Sequence, residues 1–425
     1  MAASHARETL GRRRLAPSLA TFLPNAGAVR AVLLAYLSTR LMIFFIIFVS
    51  MATLPVRPGV DRFNYASPGD VILDGLVRWD SWQFLDIAAH GYKVGNSAAR
   101  QIGSVSSFPV YPGLIKLVAP FIGNIFVTGV LISNVALLVA LGYLYALARH
   151  EFDDESAARA VFYYAAAPAS VFFSAIYSES LFVAFAIASF YYAVKQRWVY
   201  AAVVGALAAA TRNTGILLVA VIALEGLHQR GVRFGPLLLG RTGLVDHLRQ
   251  QGMLALRAWC SLLAAAFASI GLLAYMAYLA AKFGDPLAFY HDQAYFGRDA
   301  SGAQPLKLLV NLYRELQIGP SFWNGQVNTG FLLDTLSLAA FVVLVIVVAR
   351  TLRLSYAVYA VLTLITPLTT NTAFSMTRYS LMIFPCYIVL ARWGRRSWAD
   401  RLIVGILFAL MAYIAVTFSH YYAPI

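Results

Sequence analysis

The chain is poor in cysteine and poor in charge. Only two cysteines, Cys260 and Cys386, occur in 425 residues, and both lie inside apolar runs. Such a pair supplies neither a disulfide framework nor a zinc site. Charged residues make up 12% of the chain, where a soluble domain carries about a quarter. With 60% of the residues apolar, that share cannot coat a water-facing surface, so soluble, disordered and fibrous classes are excluded together. Acid is scarcer still: 19 Asp and Glu stand against 33 Lys and Arg, a net charge of +14. In so apolar a chain this excess reads as cytoplasmic loops beside anionic lipid, and no nucleic-acid partner is expected. A repeat of fixed period or an inverted repeat is also missing, which disfavours a secondary transporter.

What the chain has instead is long apolar runs, each spanning the hydrocarbon with roughly 20 residues. The first, 29–54, follows a basic segment, 1–28, that carries Arg7, Arg12, Arg13 and Arg14. It is too long for a secretory signal, and no small-residue cleavage site follows it. Residues 55–107 are polar and aromatic and form a large first loop. After a stretch broken by Pro109, Pro112 and Pro120, runs recur at 124–148, 157–177, 179–194, 198–212, 214–227, 259–281, 329–349, 355–373, 379–391 and 402–419.

Taking the proline-rich stretch as interfacial gives an all-α integral membrane protein of about 11 transmembrane helices. Its N-terminus is inside and its C-terminus outside, because only this parity puts Lys195, Arg197, the basic loop 228–258, Arg350, Arg353, Arg392 and Arg395 on the cytoplasmic side. The chain is expected to be one polytopic domain, 1–425. The first loop, Tyr177 to Glu179, Arg212 with Asn213, the second large loop 284–328 and Thr377 with Arg378 then share the extracytoplasmic face.

The chemistry begins at Arg78-Trp79-Asp80 and runs to His90-Gly91-Tyr92. Phe84, Ile87 and Ala88 keep helical spacing, while Trp79, Gln83, Asp86 and His90 fall on another stripe, so an amphipathic helix lies on the outer surface and ends at Gly91. Asp80 opens it and has two readings: an ordinary N-cap, completed by Gln83 as a capping box, or a catalytic carboxylate. Glu179, next to Ser178, could simply favour a helix N-terminus through its dipole. Arg212, beside Asn213, and Arg378, beside Tyr379, interrupt apolar sequence and either snorkel to headgroups or bind an anion. Glu179 is the candidate resident partner of an arginine. His291 and Gln293, after Gly284-Asp285-Pro286, show no metal-ligand spacing, so no metal and no cofactor are expected.

Taken in order, these elements resemble one family. Trp79-Asp80, His90-Gly91-Tyr92, Phe108-Pro109-Val110-Tyr111-Pro112, Pro168-Ala169-Ser170 with Tyr177-Ser178-Glu179-Ser180, Arg212 before Gly215, Gly284-Asp285-Pro286 and Arg378-Tyr379 before Phe384-Pro385 are similar to the PIG-V-like mannosyltransferases. These are GT-C-type membrane glycosyltransferases. The resemblance covers most of the chain from Val29 onward and departs from the family pattern at Ser107, Val110 and Phe296-Gly297-Arg298. It implies a GT-C-like bundle that transfers mannose, with inversion, from a polyprenyl- or dolichyl-phosphate carrier to a glycolipid or glycan acceptor at the extracytoplasmic face. A bacterial plasma membrane is preferred over the endoplasmic reticulum.

Trp79 and Asp80 match the family's key site. An inverting displacement with a phosphate leaving group needs one base and no general acid, which suits a single carboxylate. Asp80 is therefore the expected base, with Asp86 in reserve. Arg212 and Arg378 are expected to hold the leaving phosphate, with Arg78 and His90 next in line. Trp79, Gln83, Tyr111, Ser178, Glu179, Asn213, His291, Gln293 and Tyr379 complete the expected substrate contacts. A lipid flippase or transporter, which needs charges deep in several spans and access from both faces, is the competing class. A non-catalytic lipid-binding subunit is the third.

Overall fold

Asparagine opens several of the long helices. In the computed structural model, which describes residues 25–58, 70–95, 103–232, 253–254, 257–293, 304–316 and 328–422, Asn25 accepts from Ala28 N at 2.8 Å and starts α1, Ala26–Thr53. Two short helices follow, namely α2, Val71–Leu76, and α3, Ser81–His90. The proline-rich stretch folds as α4, Val110–Ile122, and is ended by Gly123 at φ +80°, a conformation that costs glycine little. Asn124 then caps α5, Ile125–Glu151, by accepting from Phe126 N and Val127 N.

The chain continues with α6, Asp154–Ala165, α7, Glu179–Val194, α8, Trp198–Ala209, and α9, Leu217–Gln229. After the gap in description come α10, Trp259–Ala268, α11, Ile270–Phe283, α12, Ala288–His291, and α13, Pro305–Glu315. The C-terminal part holds α14, Thr329–Thr351, α15, Leu354–Leu368, α16, Met376–Tyr379, α17, Pro385–Trp393, and α18, Ser397–Ser419. The basic segment up to residue 24, most of the loop 228–258 and Phe296-Gly297-Arg298 fall outside the described residues.

Among the described residues, five helical segments are long and apolar enough to cross a membrane: α1, α5, α10 with α11, α14 and α18. Their outward faces are apolar, as at Leu41, Phe45, Leu131 and Val135. The helix α7 is different, because nearly every residue from Glu179 to Val194 is buried. A helix apolar all round belongs at a bundle's centre, and α7 packs there against α5, α8 and α9. Its first residue, Glu179, is therefore a carboxylate set in the middle of the bundle.

The shorter apolar helices contribute the second feature that places the site. At about 1.5 Å per residue, helices of 12 to 16 residues such as α7, α8 and α15 fall short of a 30 Å hydrocarbon layer. The chain continues in turns and single helical turns at 166–178, 210–216 and 369–384, whose residues Ser178, Arg212 and Arg378 gather around Glu179. Irregular backbone is tolerated in such a setting where protein buries it or it lines a cavity. Arg40, near the middle of α1, holds one such break. Its guanidinium is buried and donates to the Ala165 carbonyl at 2.8 Å, the Ser170 carbonyl at 2.9 Å and Ser174 Oγ at 2.9 Å.

The opposite end is closed by charge. Arg353 pairs with Glu151 at 2.6 Å and with buried Glu225 at 3.2 Å, and Ser355 also donates to Glu225. Arg149 meets Asp154 at 2.9 Å, Arg395 pairs with Asp153, and Tyr163 donates to Asp400. These contacts gather the α5–α6, α14–α15 and α17–α18 connections with the end of α9.

Candidate active site

The turn before α3 puts Asp80 into the cavity. Trp79 has φ +54°, an uncommon left-handed conformation for a bulky residue. Its neighbours fix it: Tyr177 Oη accepts from Asp80 N at 3.1 Å and donates to the Arg78 carbonyl at 3.2 Å, bracketing Trp79 from a fully buried ring. Arg78 itself turns away. It is buried in a bidentate pair with Asp74, donates to the Ser419 carbonyl at 2.8 Å, and lies 4.7 Å from the centre of the Tyr421 ring.

The N-cap reading of Asp80 does not hold. Asp80 occupies the N-cap position of α3, yet its side chain makes no capping hydrogen bond. At φ −63° and ψ −13° its backbone is already helical, whereas a capping side chain folds back onto the N2 or N3 amide from an extended residue. Gln83 does not complete a capping box either, because its Oε1 accepts from Ser107 Oγ at 3.1 Å and ties α3 to the end of the first loop. The Asp80 carboxylate instead meets Arg378 Nη1 at 2.8 Å.

Three irregular segments bring the remaining charges together. Ser178 and Glu179 stand at the start of α7, where Glu179 Oε1 receives Arg212 Nη1 at 2.9 Å and lies 3.6 Å from Arg378 Nε. Arg212 Nη1 also donates to Ser178 Oγ at 3.1 Å. Arg212 follows α8 in a turn that folds back against it, with Arg212 N on the Ala208 carbonyl. Gly215 makes this possible, since a Cβ there would collide with the backbone of Ala208 and Ala209. Arg378 sits in α16, its guanidinium 5.5 and 5.7 Å from the Phe172 and Tyr177 ring centres. The result is a chain of alternating charge, Asp80, Arg378, Glu179 and Arg212. Within it Glu179 Oε2 and Arg378 Nε are buried without a hydrogen-bond partner among the described residues.

A cavity of about 470 Å³ opens over this chain. Trp79, Asp80, Gln83, Ser178, Glu179, Arg212, Asn213, Gln293, Arg378 and Tyr379 line it, so the structure unites ten of the residues singled out from sequence. The other five stand elsewhere. Arg78 is held by Asp74, and Tyr111 is buried between the Ser133 hydroxyl at 2.8 Å and the Gly129 carbonyl. Asp86 faces outward with His90 at 2.7 Å and Lys93 at 2.9 Å. Burial raises its carboxyl, but those two partners outweigh that and hold it below the usual range. His291 pairs with exposed Asp285 at 2.7 Å. Sequence reasoning missed the part of the wall formed by Thr366, Pro367, Thr369, Thr370 and Phe374, as well as the bracketing role of Tyr177.

Asp292, just after α12, is buried against Gly103 of the first loop. It is 3% exposed, its carboxylate oxygens have no hydrogen-bond partner among the described residues, and burial raises its carboxyl above the ordinary 3.8. Gly103 must lack a side chain here, because a Cβ would strike the Asp292 carboxylate.

An apolar helical bundle with two carboxylates and two arginines gathered around one cavity defines a polytopic membrane protein with a charged candidate site. The family described as Mannosyltransferase (PIG-V) matches residues 28–285, and the chain belongs to it. GPI alpha-1,6-mannosyltransferase 2 of Rattus norvegicus is 31% identical over 161 residues, covering 35% of this chain and 31% of the relative. The Mus musculus protein of the same name is 31% identical over 157 residues, covering 34% and 30%. The chain thus spans under a third of the length of the curated relatives it matches. Among solved structures, ArnT from Cupriavidus metallidurans bound to undecaprenyl phosphate is 13% identical with a TM-score of 0.40, covering 89% of this chain and 77% of that one. The Archaeoglobus fulgidus oligosaccharyltransferase in its apo form is 14% identical with a TM-score of 0.44, covering 91% and 56%.

Proposed function

We propose that this membrane mannosyltransferase takes mannose from a polyprenyl- or dolichyl-phosphate carrier and transfers it, with inversion, to a hydroxyl of a glycolipid or glycan on the extracytoplasmic side. The observation that carries this reading is the Asp80 carboxylate, free of any capping bond and 2.8 Å from Arg378 in a cavity that also holds Arg212 and Glu179. In the reaction, the acceptor oxygen attacks the anomeric carbon while the bond from that carbon to the phosphate oxygen breaks. Asp80 takes the acceptor proton, and the lipid phosphate leaves with the bonding electrons and a second negative charge. Arg378 and Arg212 are the groups that receive that charge, as fork-shaped donors in surroundings of low polarity.

The ion pairs give this sequence of events a physical basis. A donor phosphate that engages Arg378 competes with Asp80 for the guanidinium and leaves the carboxylate free to accept a proton. Glu179, fully buried, keeps both arginines within reach. A flippase is supported less well, because the far end of the bundle is closed by the Glu151, Glu225 and Arg353 cluster. The test is transfer of labelled mannose from a polyprenyl-phosphate carrier in liposomes. Activity in the wild type and its loss in a folded Asp80→Asn variant is the expected result, and transfer at the wild-type rate in that variant would overturn the assignment of the base.

A further inference from the structure

Arg378 hangs from a strained turn, and that turn is gripped by a carboxylate that the site itself does not use. Ser375, three residues earlier, has φ +64°, a left-handed conformation that is uncommon for serine. Asp334 lies in the second turn of α14 and is 1% exposed. Its Oδ2 accepts from Ser375 N at 2.8 Å and its Oδ1 from Thr377 N at 2.8 Å. One turn along the same helix, Ser337 Oγ lies 3.0 Å from Thr377 Oγ1. Both oxygens of the carboxylate are thus spent on two backbone amides of the segment that enters α16, and the next residue is Arg378.

We infer that Asp334, supported by Ser337, is a positioning residue that sets Arg378 against Asp80 and Glu179. A carboxylate inside an apolar helix is expensive, and its retention calls for a role. Here the role is geometric. The two amides fix the direction in which α16 leaves the strained Ser375, and the Arg378 guanidinium, 2.8 Å from Asp80, follows from that direction. Neither Asp334 nor Ser337 lines the cavity, so both act through Arg378. A displacement of about 1 Å at a charge-stabilising group is enough to lower a rate by about a hundred-fold. The inference rests on the proposed transfer reaction for its kinetic arm and on backbone protection for an arm independent of it.

The informative change is Asp334→Asn. It keeps the shape but turns one accepting oxygen into an amide that faces another N–H, so one of the two grips is lost. Transfer per folded molecule, measured with purified full-length protein in liposomes against polyprenyl-phosphate mannose, should fall about ten-fold in Asp334→Asn. In an Arg378→Lys background the same change should cost less than about two-fold, because the group being positioned is already gone. Hydrogen exchange of peptides covering 373–380 should be faster in Asp334→Asn, with the rest of the bundle unchanged.

Equal losses in both backgrounds, or normal transfer per folded molecule, would overturn the positioning role while leaving the transfer reaction standing. If the wild type moves no lipid-linked mannose, the transfer reading fails, and the exchange arm still decides whether Asp334 holds the turn. Should Asp334→Asn not fold, Ser337→Ala removes the weaker contact and should show the same dependence on Arg378 at about three-fold. Absence of that coupling would equally refute the inference.

Discussion

Asp80 and Arg378 stand 298 residues apart in the chain and meet at 2.8 Å. Each is delivered by a turn whose entry residue has left-handed backbone, Trp79 at φ +54° and Ser375 at φ +64°. Strain of this kind persists where the surroundings over-determine it, and here the surroundings are Tyr177 on one side and Asp334 on the other. A pair made this way has its geometry set by two independent supports, which suits the proposed exchange of Asp80 for a donor phosphate at Arg378.

The carboxylate can be tested apart from the fold because Asp80 caps nothing. Asp80→Asn and Asp80→Ala should both retain near-normal thermal stability, since neither removes a capping bond, while transfer falls by roughly two to four decades in each. Thermal unfolding in detergent and transfer assays on the same preparations check this. A large stability loss in Asp80→Ala alone would restore the capping role.

Much of the site was legible because charge stands out against apolar sequence. Asp80, Glu179, Arg212 and Arg378 were visible for that reason, and the structure brings these four together. The same signal is present at Arg40 and Asp334, charges well inside expected spans, but counting spans by length and apolarity gives it no weight. The break at 166–178 was hidden for a different reason: apart from Pro168 and three serines its residues are apolar, and periodicity does not report where a backbone stops being helical. The stretch 369–384, rich in Thr, Ser and Asn, was only partly hidden, because the runs 355–373 and 379–391 divide it. The capping pattern at Asp80 and Gln83 shows the converse, a correct local spacing overridden by a backbone already helical one residue early.

Arg40 should prove structural in its own right. It is 2% exposed and supplies three acceptors on the break after α6. Arg40→Met preserves bulk but leaves those acceptors unpaired, and we expect a destabilisation of about 3 kcal/mol or more, read as a lowered unfolding midpoint. Arg40→Lys should recover part of it. If Arg40→Met unfolds at the wild-type temperature, the break is held by other contacts.

Buried Asp292 should make stability depend on pH. Burial raises the Asp292 carboxyl in the folded state above its ordinary 3.8. The folded protein therefore keeps a proton that the unfolded chain releases, so this group favours folding at low pH and that contribution is lost as pH rises through the folded-state value. Asp292→Asn carries no charge at any pH. Melting curves from about pH 4 to about pH 7 should show the variant gaining on the wild type as pH rises. A constant difference across the range would mean that Asp292 binds its proton equally in the folded and unfolded states.

The two arginines should differ in what they tolerate. Arg212 gives one nitrogen, Nη1, to both Glu179 and Ser178, whereas Arg378 bonds Asp80 through Nη1 and faces Glu179 with Nε at 3.6 Å, without a hydrogen bond. Lysine keeps the charge but has a single donor centre in place of the fork. A lysine at 212 can still reach Glu179, so Arg212→Lys should lower donor use by about one decade. A lysine at 378 cannot serve Asp80, Glu179 and a phosphate together, so Arg378→Lys should lower it by about two decades. Both variants should remain folded, since each retains the charge that Glu179 requires. Transfer rate measured against carrier concentration in liposomes separates weakened donor binding from a slower chemical step. If both variants show wild-type kinetics, the leaving phosphate is held by other groups and the two guanidiniums serve only to neutralise Asp80 and Glu179.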